Sequence, residues 1–138
     1  MNRKVLIVDD DVNAGIIAET LLRLRGLDVQ VACDGAEACE MVERNGAAVV
    51  VLDLTLPEMN GFEVLRRLRG RFESLRLRVQ PRIVVTSVRR EPEVERFALQ
   101  LGADAFLCKP VDPHRLIRIV EQLVGAPPSA FWSAAAQQ

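Results

Sequence analysis

Short apolar runs alternate along the chain with longer segments in which apolar residues recur at helical spacing. Such alternation is typical of a parallel sheet covered by helices on both faces. The pattern predicts an α/β fold with a five-stranded parallel sheet, doubly wound and flanked by five helices. We expect the strand order 2-1-3-4-5, one of the two common orders of such sheets, in which strands one and three are neighbours. The predicted strands are residues 5–8, 27–32, 47–52, 83–85 and 105–108, and 47–52, the most apolar run, is expected to be central.

Helical spacing predicts one helix after each of these strands. In the first helix Ile17, Leu21 and Leu24 recur at i, i+4 and i+7, so we expect them to face the core. Asp112 and Pro113 occupy the cap and the first position of the last helix, where both residue types are favoured. The predicted helices are residues 13–25, 35–44, 62–72, 93–101 and 113–124.

Length and composition predict a single domain. The chain has 138 residues, of which 49% are apolar and 27% charged, as in a soluble protein with one core. Residues 126–138 carry no charge and little pattern, although they include Phe131 and Trp132. We therefore expect a domain at residues 1–125, followed by a tail or the beginning of a linker at 126–138.

Cysteine usage and hydropathy indicate the compartment. The three cysteines, Cys33, Cys39 and Cys108, are odd in number and form no CxxC pair, which argues against a disulfide framework and a zinc site. The apolar run near the N-terminus is too short for a signal peptide, and no run approaches the length of a membrane span. We expect a cytoplasmic protein without membrane contact.

Polar residues interrupt the apolar pattern where the predicted strands end. Asp9 and Asp10 follow strand one, Asp53 follows strand three, Thr86 ends strand four and Lys109 follows strand five. In an open parallel sheet, ligands bind at the carboxyl ends of the strands. The net charge is only -1, but residues 1–60 contain 11 acidic and 5 basic residues, so the acidic residues are concentrated in the N-terminal part of the chain. We expect these side chains to meet at one edge of the sheet.

Three carboxylates at one edge would repel one another, a cost that a bound cation relieves. Oxygen ligands without His or Cys suit Mg²⁺ better than zinc. The alternative is that the acids only cap the first helix, where negative charge is favoured, and we assign that role to Asp11. Asp9, Asp10 and Asp53 together are predicted to bind Mg²⁺.

Four motifs in order, IVDDD, VVVLDLTLPEMNGFEVLRRLR, IVVTS and FLCKPVDP, closely resemble those of the receiver domain of bacterial two-component response regulators. The resemblance covers about residues 3–124 and implies a flavodoxin-like fold and a role in phosphorelay signal transduction. It implies that Asp53 accepts a phosphoryl group from a histidine kinase or a histidine phosphotransfer protein. It also implies that Asp9, Asp10, Asp53 and the backbone carbonyl of Thr55 hold Mg²⁺.

The same resemblance also indicates which residues respond to phosphorylation. It implies that the Thr86 hydroxyl binds the phosphoryl group, that Lys109 pairs with that group, and that Phe106 is the aromatic residue that turns inward. The partner surface would be the fourth helix, the fifth strand and the fifth helix, which could also form a phosphorylation-dependent homodimer. Such a domain is not an enzyme beyond assisting its own phosphorylation and dephosphorylation, and we expect no direct DNA binding.

Two other functional classes compete with a phosphorylated switch. A phosphatase of the haloacid dehalogenase type also uses a strand-end Asp, but it needs a second Asp two residues later, where this chain has Thr55. A pseudo-receiver would only bind proteins, and the complete set of Asp9, Asp10, Asp53, Thr86 and Lys109 argues against it.

Residues 66–82 contain seven arginines, which we interpret as a solvent-exposed helix face and loop. Nucleic-acid binding is disfavoured because Phe72 is the one aromatic residue of this segment that could stack on a base. His114 is predicted to be exposed. Cys108 is predicted to point to the opposite side of its strand from Lys109, as a small buried apolar residue.

Overall fold

The computed structural model of the chain describes residues 2–11, 13, 15–56, 60–73 and 80–125, with the side chains of residues 71–73 left out of account. It confirms the predicted alternation of five strands and five helices. In chain order the elements are β1 (Lys4–Val8), α1 (Ile16–Leu24), β2 (Asp28–Ala32), α2 (Gly35–Asn45), β3 (Val49–Asp53), α3 (Gly61–Glu73), β4 (Arg82–Ser87), α4 (Pro92–Gln100), β5 (Ala105–Cys108) and α5 (Pro113–Gly125).

The strands form one parallel sheet in the order β2-β1-β3-β4-β5, as predicted. Strand β3 lies between β1 and β4, and all five of its residues are buried. Side chains of a strand alternate between the two faces, and each face packs on its own set of helices. Helices α2, α3 and α4 cover one face, whereas α1 and α5 cover the other.

Helix α1 differs from the prediction in its beginning and in its buried face. It begins at Ile16 rather than Asn13, and Ala18 and Leu22 are its buried residues. Ile17 is 65% exposed and Leu24 is 75% exposed. The buried face is therefore shifted by one residue from the predicted one. Ile17 and Leu21 form one apolar row and Ala18 and Leu22 form a neighbouring row, and helical spacing alone does not show which row is buried.

The prediction that the arginines of residues 66–82 are solvent-exposed was wrong for Arg69 and Arg82. Both are buried together with Asp104, whose side chain is only 2% exposed. Asp104 Oδ2 lies 3.2 Å from Arg69 Nη2, and Oδ1 lies 3.4 Å from Arg82 Nη1. Two buried cations thus share one carboxylate, which also accepts the main-chain N–H of Ile83 at 2.7 Å.

The same cluster connects three segments at the amino edge of the sheet. Arg69, in α3, donates hydrogen bonds to the carbonyls of Pro81 at 2.6 Å and Gly102 at 2.5 Å. Gly102 has a φ of +110°, and a Cβ at this position would lie 2.7 Å from Arg69 Nε. A glycine is required there for both reasons. The cluster therefore fixes α3, the beginning of β4 and the α4–β5 connection to one another.

The remaining sequence predictions have mixed outcomes. His114 is exposed as predicted, whereas Cys108 is only half-buried. None of the helices among the described residues is long and apolar enough to cross a membrane. Helix α5 ends at Gly125. The predicted tail, with Phe131 and Trp132, lies outside the described residues, as do Arg76, Arg78 and the side chain of Arg71, so the division at residue 125 stays a prediction.

Candidate functional site

Three carboxylates converge at the carboxyl edge of the sheet. Asp9 follows β1 and Asp53 ends β3, and these strands are neighbours in which Val8 pairs with Leu52. Carboxylate oxygens of Asp9, Asp10 and Asp53 all lie within 4.8 Å of one another. The cluster offers oxygen ligands only, which is the donor set that a hard divalent cation such as Mg²⁺ prefers. The residues therefore fit the predicted cation.

Lys109 reaches this cluster from the far end of the sheet. It follows β5, and its Nζ lies 3.1 Å from Asp53 Oδ2 and 3.3 Å from Asp9 Oδ2. The three side chains are largely removed from solvent, with Lys109 at 25% exposure the most accessible. One ammonium group thus bridges two carboxylates, and it partly offsets their mutual repulsion.

Main-chain N–H groups orient the other oxygens of the two carboxylates. Asp53 Oδ1 accepts a hydrogen bond from the Thr55 N–H at 3.0 Å, and Asp9 Oδ1 accepts one from the Asp11 N–H at 2.9 Å. Both contacts span two residues, the geometry by which an aspartate stabilises a turn in its own chain. The contribution of the Thr55 carbonyl to a metal site stays a prediction.

The role predicted for Asp11 was wrong. Helix α1 begins at Ile16, with Gly15 as its cap and no capping side chain. The carboxylate of Asp11 instead accepts a hydrogen bond from the N–H of Asn13 at 3.0 Å. Asp11 therefore shapes the connection between β1 and α1, and the acids of this segment are not explained by helix capping.

Gly61 closes the connection that carries Thr55. Its N–H donates to the Leu54 carbonyl at 2.9 Å, and a Cβ on Gly61 would collide with the Leu54 main chain. Only glycine permits the first turn of α3 to approach the end of β3 this closely. The close approach keeps the backbone after Asp53 beside the acidic cluster.

The predicted switch residues lie on neighbouring strands. Thr86 is 5% exposed and pairs with Asp53 across the β3–β4 ladder, so its hydroxyl belongs to the same edge as the cluster. Phe106 is half-buried and packs against the apolar layer that includes Val85, Val94 and Ala98. Thr86 and Phe106 therefore belong to adjacent strands at the end of the sheet where the acids meet, while their movement stays a prediction.

The surroundings shift the pKa values of the central pair. Burial raises the pKa of Asp53 above 3.8, although the Thr55 N–H and Lys109 act in the opposite direction. Burial alone would lower the pKa of Lys109, but its hydrogen bonds and charge interactions with Asp53 and Asp9 prevail and raise it above 10.5. Ionisation of Asp53 therefore has a net cost in the folded protein, whereas protonation of Lys109 is favoured there.

A cavity of about 310 Å³ opens beside the cluster, on the sheet face covered by α1 and α5. Asp9, Thr86 and Lys109 line it at one side. The rest of its lining is mostly apolar and comes from the sheet, α1 and the segment from Pro110 into α5. The cluster is therefore open to molecules outside the protein.

We predict that Asp53→Asn stabilises the metal-free protein. Because the folded-state pKa of Asp53 lies above 3.8, its ionisation disfavours the folded state at neutral pH. Removing the charge should raise the free energy of unfolding by on the order of 1 kcal/mol at pH 7. The gain should shrink as the pH falls through the folded-state pKa and should vanish below 3.8.

Urea unfolding in the presence of a chelator, repeated from pH 7 to pH 3.5, measures this difference. Asp28→Asn, at an exposed position of β2, is the matched control and should change little. A metal-free Asp53→Asn protein that is less stable than the wild type at pH 7 would contradict the expected repulsion.

The edge also includes residues that the sequence analysis assigned no role. Ser87 is fully buried; its hydroxyl accepts the N–H of Arg89 at 2.9 Å, and its carbonyl accepts the N–H of Lys109 at 2.7 Å. Arg90 donates to the Lys109 carbonyl at 3.1 Å. The signal in the sequence was the position of Ser87 at the end of β4 and of Arg90 shortly after it, which does not distinguish a structural contact from a solvated loop.

Comparisons with known proteins agree with this geometry. The family model described as the response regulator receiver domain matches residues 5–121. A protein of Leptolyngbya boryana, described as an uncharacterized 14.6 kDa protein in the sodA1 3' region, is 39% identical over 127 residues, covering 91% of this chain and 94% of the relative.

Solved structures with the same fold are similar along nearly their whole length. The receiver domain of the Francisella response regulator 1452 is 30% identical with a TM-score of 0.79, covering 89% of this chain and 97% of that one. The chemotaxis response regulator CheY4 of Vibrio cholerae is 26% identical with a TM-score of 0.78, covering 89% and 99%. With a family match over most of its length and the acidic cluster at the expected strand ends, this chain belongs to the response regulator receiver domains.

Proposed function

We propose that this receiver domain is a phosphorylated switch in which Asp53 accepts a phosphoryl group from the phosphohistidine of a histidine kinase or of a histidine phosphotransfer protein. The observation that carries the proposal is the position of Asp53. It is a buried carboxylate with one oxygen on the Thr55 N–H and the other on Lys109, at the open edge of the sheet. A pair of oriented oxygens beside a cation suits attack on phosphorus.

The chemistry is a phosphoryl transfer between two side chains. An oxygen of Asp53 forms a bond to phosphorus, the bond from phosphorus to the donor imidazole nitrogen breaks, and the imidazole keeps that electron pair and takes a proton. Negative charge spreads over the phosphoryl oxygens during transfer. Lys109, already 3.1 Å from Asp53 Oδ2, can follow this charge because its ammonium group lies on a flexible stem.

A divalent cation completes the charge balance. Asp9, Asp10, Asp53 and the Thr55 carbonyl would hold Mg²⁺, which would neutralise the phosphoryl oxygens. Without Mg²⁺, Lys109 is the one cationic side chain of the described residues that contacts the cluster. We therefore expect phosphorylation to require Mg²⁺.

Residues on the neighbouring strands would respond to the charge of the phosphoryl group on Asp53. The Thr86 hydroxyl would bind the phosphoryl group, and Phe106 would fill the space that Thr86 leaves. Both changes act on α4, β5 and α5, which we propose as the surface for a downstream protein or for a phosphorylation-dependent homodimer. We place this switch in the cytoplasm, with output through protein contacts rather than DNA.

Incubation with acetyl phosphate, with and without Mg²⁺, tests the proposal. Intact mass spectrometry should show one phosphoryl adduct that requires Mg²⁺. The absence of any adduct across a wide range of Mg²⁺ concentration would overturn the switch and favour a protein that only binds partners.

Measuring released phosphate distinguishes a phosphorylated switch from a phosphatase. Sustained hydrolysis of simple phosphate monoesters would favour a phosphatase and overturn the proposal, because a switch should not turn such esters over. Thr55 stands where that class places its second acid, so we expect no such turnover.

A further inference from the structure

The connections after β4 and β5 are joined by a side chain outside the acidic cluster. Arg90, which lies between β4 and α4, donates from Nη2 to the main-chain carbonyl of Lys109 at 3.1 Å. The acceptor belongs to the residue whose Nζ contacts Asp53 and Asp9. Arg90 itself is exposed, and its guanidinium binds the main chain of Lys109 rather than the acids.

Both polar main-chain groups of Lys109 are therefore held, one by the last residue of β4 and one by the connection that follows β4. Its N–H donates to the Ser87 carbonyl at 2.7 Å, and its carbonyl accepts from Arg90. The Ser87 contact extends the β4–β5 ladder, whereas the Arg90 contact lies beyond the last ladder pair, Ser87 with Cys108. Without Arg90, the Lys109 N–H would keep its hydrogen bond to Ser87, but the Lys109 carbonyl would lose its bond.

We propose that Arg90 is a positioning residue for phosphorylation: by binding the Lys109 carbonyl it holds the Lys109 ammonium between Asp9 and Asp53. The inference rests on the proposed function, because it concerns the rate at which Asp53 is phosphorylated.

The Arg90 contact also couples the segment that follows Thr86 to the segment that carries Lys109. A change at Thr86 would thereby be transmitted to Lys109 through a side chain as well as through the sheet.

Arg89 is a matched control for Arg90. It is the adjacent residue, is also exposed and carries the same charge, and its side chain pairs with Glu91, with Nη2 3.4 Å from Oε1. Substituting either arginine by Ala removes one positive charge from the same connection. Any difference between the two variants therefore reports the Lys109 contact rather than the general electrostatic potential near the site.

The first test measures the rate of phosphorylation by acetyl phosphate at saturating Mg²⁺. Arg90→Ala should be slower than Arg89→Ala by about three- to tenfold, the range expected for a lost hydrogen bond that orients a catalytic group. Arg90→Lys, which keeps a donor of similar reach, should recover part of the rate. Equal rates for Arg90→Ala and Arg89→Ala would overturn the proposal.

The second test observes Lys109 directly and does not depend on phosphorylation. The chain contains two lysines, Lys4 and Lys109, so selective labelling gives two side-chain NMR signals. Lys4 donates to the Asn45 carbonyl in a different part of the molecule and acts as an internal reference. Arg90→Ala should move the Lys109 signal and leave that of Lys4 in place, whereas Arg89→Ala should move neither.

The two tests also separate the inference from the proposed function. A wild-type protein that takes no phosphoryl group would remove the proposed function, yet the NMR comparison would still report whether Arg90 positions Lys109. A wild-type protein that is phosphorylated, with a Lys109 signal unmoved by Arg90→Ala, would overturn the inference alone. Equal melting temperatures of the two Ala variants confirm that neither result comes from unfolding.

Discussion

Replacing Asp104 by Ala is expected to lower the free energy of unfolding by about 3–5 kcal/mol. The substitution leaves Arg69 and Arg82 buried near each other without the carboxylate that they share. Burial already lowers the pKa of Arg69 to about 10, even with Asp104 present. Arg69 therefore depends on Asp104 to hold its charge in the interior, and the repulsion between the two guanidinium groups adds to the loss of the bond to the Ile83 N–H.

Urea unfolding of Asp104→Ala beside the wild type measures this loss. Asp28→Ala removes an aspartate from an exposed position at the beginning of β2 and should cost less than about 1 kcal/mol. A loss for Asp104→Ala that equals the loss for Asp28→Ala would show that the buried cations are compensated elsewhere.

Lys109→Met is expected to slow phosphorylation of Asp53 by about 10² to 10³, the usual cost of removing one group that stabilises transition-state charge. The ammonium 3.1 Å from Asp53 Oδ2 is the group best placed for this role. The same substitution should strengthen Mg²⁺ binding, since it removes a positive charge that lies against Asp53 and Asp9. Opposite effects on the two measurements would identify Lys109 as a group that acts on the phosphoryl oxygens.

Phosphorylation rates with acetyl phosphate and Mg²⁺ titrations on the same samples check this prediction. Lys4→Met, the only other lysine substitution available, should leave both unchanged, because Lys4 contacts the Asn45 carbonyl. A rate for Lys109→Met within about threefold of the Lys4→Met rate would exclude the assigned role.

The residues at the carboxyl edge of the sheet could be predicted from the sequence because buried strands are apolar, so that a polar residue directly after an apolar run lies at a strand end. Asp53 follows the six apolar residues AAVVVL, and Lys109 follows AFLC, so each marks the end of a strand. Parallel strands end at the same edge, which brings these side chains together whatever the connections do. The roles of Thr55, Thr86 and Phe106, by contrast, came only from the resemblance to a family.

The contacts that sequence patterns do not reveal are those made between distant segments by polar side chains. Arg69 and Arg66 occur in the same arginine-rich helix, and only packing against Gly102 and Asp104 distinguishes the buried one from the exposed one. Asp104, two residues after Gly102, was an available signal for a buried partner. In α1 the apolar row that seemed to face the core is exposed at Leu24, because the face of a short helix is set by its neighbour α5.

Locating the phosphoryl group tests the central claim most directly. After incubation with acetyl phosphate and Mg²⁺, borohydride reduces an aspartyl phosphate to homoserine, which peptide mapping assigns to one position. We predict homoserine at position 53 in the wild type and at no position in Asp53→Asn. Homoserine at Asp9 or Asp10, or a phosphoryl group retained on another residue of the wild type, would contradict Asp53 as the phosphoacceptor.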